Sequence, residues 1–118
     1  MKRNCRDYLM DILNAIDETA EFTADMSYEE FCMDRKTSNA VVRSLEVLGE
    51  AVRNVPDVYK RRAPEIPWAK MLGMRNRLIH EYFGVDLEIV WKTVKVALPP
   101  LRTRIQTLLA EIDKEGGG

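Results

Sequence analysis

Histidine is almost missing from this sequence, with one at position 80, and cysteine is scarce, with only Cys5 and Cys32. Neither cysteine has partner ligands at metal-binding spacing, which argues against zinc or any other metal centre. Two reduced, partly buried thiols are expected instead. Uninterrupted apolar runs extend only a few residues, far short of the roughly 20 that cross a bilayer. The opening Met1-Lys2-Arg3-Asn4-Cys5 is soon followed by acids and lacks the apolar core and cleavage pattern of a signal peptide. Strand-type alternation, internal repeats and low-complexity stretches are also missing. These absences leave a soluble, cytoplasmic, all-α chain with no metal, cofactor or membrane partner. The expected organisation is a single helical domain over 1–114 and a flexible tail over 115–118.

The net charge of −1 conceals a segregation. Between Asp7 and Asp34 there are nine acids and neither Lys nor Arg, whereas Lys60 to Arg77 carries six bases against Glu65 alone. The second stretch suits a polyanion, and Arg61, Arg62, Lys70 and Arg77 are its candidate binding residues.

Apolar spacing defines the helices. Cys5, Tyr8, Leu9, Ile12, Ala15, Ile16, Thr19 and Phe22 follow the i, i+3, i+4, i+7 rule over about five turns. Ser27-Tyr28-Glu29-Glu30 is a capping box that starts a short helix with Phe31 turned inward. Asp34 or Thr37 caps the longest helix, striped by Val41, Leu45, Leu48 and Val52 and ended by Pro56. A basic connector with about one helical turn reaches Pro67, expected as the first residue of a helix running to about Glu81. Gly84 stops that helix and Asp86 caps the next, which the Pro99-Pro100 pair breaks or kinks before a last segment through Ile112. The fold class is an up-down four-helix bundle with short extra helices.

The helix over Trp68 to Tyr82 breaks its own pattern. On a wheel, Trp68, Met71, Leu72, Leu78, Ile79 and Tyr82 form one apolar stripe with Arg75 in its middle. A guanidinium there is costly unless it is paired or lines a cleft. Glu50 is a candidate partner for Arg75 or Arg77. His80 lies about 140° around the wheel from Arg75. Either the Arg75 side chain wraps back, or the helix end is distorted, or the two residues serve the sites of different subunits. Ala69 and Gly73 make a row of small residues beside His80 that is compatible with close approach of another helix. Trp68 and Trp91 could stack a base, but at helical spacing within apolar stripes they read as core.

Arg75, Asn76, Arg77, His80 and Tyr82 place two cations, an amide, an imidazole and a phenol within eight residues. That is a metal-free set for phosphodiester chemistry. RNA supplies its own 2′-OH nucleophile, which a neutral imidazole can deprotonate. A guanidinium can hold the charge that develops on phosphorus. The chemistry wants a base and an acid, and one chain has one imidazole, so a twofold dimer is expected.

Arg75 and Asn76 followed by His80, with four residues between the Arg and the His, resemble the mark of the HEPN superfamily. His80-Glu81-Tyr82 is similar, more narrowly, to the extended motif of HepT-like toxins. Asp34-Arg35-Lys36-Thr37 after Phe31, Leu48-Gly49-Glu50-Ala51, and Ile66-Pro67-Trp68 add to the likeness, which spans Tyr8 to Leu109. The resemblance implies a homodimer with facing motifs, open to assembly into larger oligomers, and a metal-independent ribonuclease with tRNA among its targets. It assigns catalysis to Arg75, Asn76 and His80. It also implies a minimal nucleotidyltransferase antitoxin that transfers AMP to Tyr82. The alternative is a non-catalytic helical partner that positions the substrate of a nucleotidyltransferase.

Overall fold

The computed structural model describes residues 3–80 and 84–116. In chain order the elements are α1 (Cys5–Phe22), α2 (Tyr28–Met33), α3 (Arg35–Asn54), α4 (Asp57–Arg62), α5 (Trp68–His80), α6 (Leu87–Lys92), a π-helical stretch (Thr93–Ala97) and α7 (Leu98–Lys114). The chain is all-helical, as expected, and no described helix is long and apolar enough to cross a membrane.

Short polar residues set the boundaries. Asn4 and Asp7 form a reciprocal capping box at α1, with bonds of 3.0 and 3.1 Å. Ser27 and Glu30 do the same at α2. Asp34, not Thr37, caps α3: its carboxylate accepts the Thr37 amide at 3.0 Å and the Thr37 hydroxyl at 2.8 Å. Asp86 caps α6 through the amides of Glu88 and Ile89.

α5 begins at Trp68, as its pattern predicts, with Pro67 one position before it rather than as its first residue, the Pro67 carbonyl accepting the Met71 amide at 3.1 Å. The Pro99-Pro100 pair does not break the helix. Prolines have no amide hydrogen, so the carbonyls of Lys95 and Val96 lose their usual partners four residues on. The helix widens there, with the Leu98 amide donating to Thr93, and α6 continues through the π-helical stretch into α7.

α1 packs against α3 and α7, and α3 packs against α5. The core between them contains Leu9, Ile12, Val41, Val52, Ile105 and Ile112, all essentially without solvent contact. Phe31 is fully buried and packs on Trp91, ring centroids 5.2 Å apart, while the Lys95 ammonium lies 4.8 Å from the centre of the Trp91 ring and donates to the Thr23 carbonyl. Trp68 donates its indole N–H to the Ala63 carbonyl at 3.1 Å. Both tryptophans are thus engaged within the chain, as their spacing suggested. Arg62 ties α4 to the end of α7 through Glu115, the first residue of the expected tail.

Burial drives the Cys5 thiol up to about 11, against the opposing charge of Arg62, whereas Cys32 is exposed. A thiolate is the reactive form, so a disulfide reagent at mildly alkaline pH is expected to label one thiol per native chain, Cys32, and both after unfolding. Fast labelling of Cys5 in native protein would contradict this packing of α1.

Candidate active site

α5 carries the residues of interest, and its sequence suits a helix. Met, Leu, Lys and Arg are good helix formers, and Gly73 is the weak position. Arg77 and His80 in the last turn complement the negative end of the helix dipole. The helix is held almost wholly by α3, and only Met71 of its 13 residues is fully buried.

Arg75 packs tightly on α3 at Gly49. A β-carbon added at Gly49 would lie 2.1 Å from Arg75 Cβ and 2.6 Å from its Cγ, so the Arg75 stem occupies the space a side chain at position 49 would need. Arg75 Nη2 meets Glu50 Oε2 at 2.7 Å, and Nη1 donates to Asn76 Oδ1 at 2.9 Å. The Arg75 side chain is 20% exposed against 49% for Glu50. Its Nε is buried without a hydrogen-bond acceptor among the described residues. A buried donor left unmet costs on the order of 1–3 kcal/mol. Arg75 is therefore paired and anchored, not extended into solvent, and one of its edges is under-satisfied.

Arg75 forms part of the wall of a cleft of about 420 Å³ that runs over the outer face of α3 to the start of α1. Arg3, Tyr8, Arg43, Glu46 and Asn54 also line it, none of which the sequence singled out. Arg43, Glu46, Glu50 and Asn54, with Val47 among them, are the exposed or partly exposed counter-face of the α3 stripe. Their spacing could have flagged a shared face, but not a cleft.

α5 is regular α-helix through His80. A distorted helix end therefore does not bring His80 to Arg75, and the wheel angle of about 140° stands. Nor does Arg75 wrap back, because Glu50 holds its head on the α3 side. His80 is exposed at the end of α5, and Asn76 is exposed beside Arg75. Tyr82 lies outside the described residues.

The basic candidates separate into distinct places. Lys70 and Arg77, one helical repeat apart, line a groove of about 400 Å³ on another side of α5, with Met74, Leu78 and Ile89. Arg61 is exposed on α4, and Arg62 is committed to Glu115.

Gly49 of α3 and Gly73 of α5 differ in their surroundings in a testable way. Gly49→Ala on α3 is expected to push α5 from α3 and destabilise the chain by about 1–3 kcal/mol, the usual cost of overpacking. Gly73→Ala meets nothing within 4 Å and is expected to stabilise by up to about 1 kcal/mol. Urea unfolding of the two variants checks both signs. A neutral Gly49→Ala would mean that Arg75 is not pressed on Gly49.

Comparison with known proteins gives a consistent family. The profile described as "Ribonuclease HepT-like" matches residues 12–108. A protein of Thermococcus cleftensis named "Probable ribonuclease HepT" is 50% identical over 92% of this chain and 98% of its own. A Methanocaldococcus jannaschii protein named "Putative RNase MJ0127" is 41% identical over 97% of this chain and 94% of its own. A similarly named RNase of Caldanaerobacter subterraneus is 39% identical over 88% of this chain and 93% of its own. No solved structure matches. With the profile covering most of its length and relatives this similar end to end, the chain belongs to the HepT-like ribonuclease family.

Proposed function

We propose that this chain is a metal-independent ribonuclease toxin that acts on RNA, tRNA included, as a homodimer. The observation that carries the reading is the anchored, partly buried Arg75 on a cleft wall, five residues before the chain's one histidine.

In this reading His80 takes the proton from a ribose 2′-OH. The 2′ oxygen bonds to phosphorus as the P–O5′ bond breaks, and His80 of the partner subunit returns a proton to the leaving 5′ oxygen. The products are a 2′,3′-cyclic phosphate and a 5′-hydroxyl end. Arg75 stabilises the negative charge that builds on the phosphoryl oxygens, and Asn76, which accepts from Arg75, orients it. Lys70, Arg77 and Arg61 contact the RNA backbone farther out.

The dimer is supported by what α5 leaves open. Leu72, Met74, Leu78 and Ile79 are only half-buried, and Gly73 faces free space. A second α5 across this surface would cover apolar area and bring a second imidazole to the site.

Control falls to Tyr82. A minimal nucleotidyltransferase antitoxin joins the Tyr82 phenolic oxygen to the α-phosphorus of ATP, and pyrophosphate leaves. The added nucleotide places bulk and negative charge near Arg75 and His80 and repels a polyanion.

Purified protein incubated with total tRNA in EDTA is expected to cleave it. His80→Ala should lower the rate by roughly 10²–10⁴-fold. Arg75→Ala should lower it by roughly 10²–10³-fold. Both variants should still sediment as dimers. Intact mass after co-expression with an adjacent nucleotidyltransferase gene should rise by AMP increments that Tyr82→Phe abolishes. A wild type that cuts no RNA, indistinguishable from His80→Ala, would favour the non-catalytic partner of a nucleotidyltransferase instead.

A further inference from the structure

The cleft beside Arg75 contains more chemistry than the proposed reaction uses. It extends over α3 to the first turn of α1 and combines guanidiniums, carboxylates, an amide and one aromatic ring. We propose that it is a subsite for one unpaired RNA nucleotide adjoining the phosphate at Arg75. Arg43 holds that nucleotide's phosphate, the Arg3–Tyr8 pair is the surface its base stacks on, and Glu46 reads the base edge. The assignment rests on the ribonuclease reading and adds the residues that select the substrate.

Size and composition fit a nucleotide. About 420 Å³ lies within the range of small-molecule sites, roughly 300–1,000 Å³. The Arg3 guanidinium sits 5.2 Å from the centre of the Tyr8 ring, and Asp11 fixes it there at 2.5 Å. A half-buried ring with a tethered planar cation makes a preformed stacking surface. The cations of this cleft are all arginines, whose flat fork both stacks on bases and grips phosphate at two points.

Charge pairing assigns the remaining roles. Arg3, Arg43 and Arg75 face Asp11, Glu46 and Glu50, three of each sign. Asp11 is committed to Arg3 and Glu50 to Arg75. Among the described residues, that leaves Arg43 and Glu46 as the cleft charges outside an ion pair. A track for a long phosphate run would have surplus cations, and this cleft has none. One free cation with one free carboxylate suits a single nucleotide, with phosphate on the first and base N–H donors on the second. Guanine presents two adjacent donors along its pairing edge, the arrangement a carboxylate accepts best, so guanine is the expected base.

The test measures binding apart from cleavage. Short fluorescent 2′-O-methyl RNA strands, which lack the nucleophile, are titrated in EDTA, with one guanine or with none. Arg43→Ala and Tyr8→Leu are each expected to weaken binding of the guanine strand by about fivefold or more, while Tyr8→Phe keeps wild-type binding. Arg43→Ala should also reduce the salt slope by about one. Glu46→Gln should erase the preference for guanine and leave the other strand unaffected. Arg43 is exposed, so its loss is separable from misfolding. If wild type cuts tRNA and Arg75→Ala weakens binding, but Arg43→Ala and Tyr8→Leu bind as wild type does, the subsite is refuted and the ribonuclease reading stands. If the subsite variants weaken binding but nothing is cut, the ribonuclease reading fails and the subsite survives. A wild type that binds neither strand overturns both.

Discussion

The packing of Arg75 of α5 against α3 is the constraint on which the rest of the site depends. α5 has one main packing partner, and against it the Arg75 stem presses on the bare backbone of Gly49. Glu50, the next residue of α3, then takes the guanidinium at 2.7 Å. One dipeptide thus supplies both the space and the charge. The pair is unequal in exposure, so its attraction is only partly screened, and removing Glu50 would leave a largely buried cation without its counter-ion. Gly49 weakens α3 as a helix, and that cost is offset by the close approach it permits.

α5 therefore divides its functions by direction. Toward α3 it offers a fixed guanidinium that opens on a cleft of mixed charge. On another side it offers Lys70 and Arg77 around a mainly apolar groove. At its end it exposes His80. A regular helix keeps Arg75 and His80 apart, so the chemistry proposed for them calls for a second chain, in which the imidazole of one α5 works with groups of the other. The half-buried Leu72, Met74 and Leu78 give that second chain something to cover.

Most of the fold was legible because its signals are local. Ser27–Glu30, Asp34 and Asp86 cap the helices their chemistry suggested, and the apolar stripes of α1, α3 and α7 face the core, apart from the exposed Phe22 at the end of α1. Phe31 and the two tryptophans pack where their spacing placed them. The prolines were harder to read. Pro67 lies just outside its helix, and Pro99-Pro100 is absorbed by a π-helical stretch, because the way a helix accommodates lost amides depends on its packing. Within the site, the odd placement of Arg75 was visible on the wheel, and Glu50 was a candidate partner for Arg75 or Arg77, of which Arg75 is the one it meets. The Gly49 contact and the company of Arg3, Tyr8 and Arg43 were not visible. These residues come from the segment ahead of α1, from α1 and from α3, and no local pattern marks them as neighbours of Arg75. The same holds for Arg62, which looked free in a basic run and is bound to Glu115 from the far end of the chain.

The most direct test of the central claim, that Glu50 acts on RNA cleavage through Arg75, is a double-mutant cycle on the tRNA cleavage rate with Glu50→Gln and Arg75→Ala. The account predicts that Glu50→Gln slows the wild type through kcat and costs almost nothing in the Arg75→Ala background. Equal, additive losses in both backgrounds, or no loss in either, would contradict it.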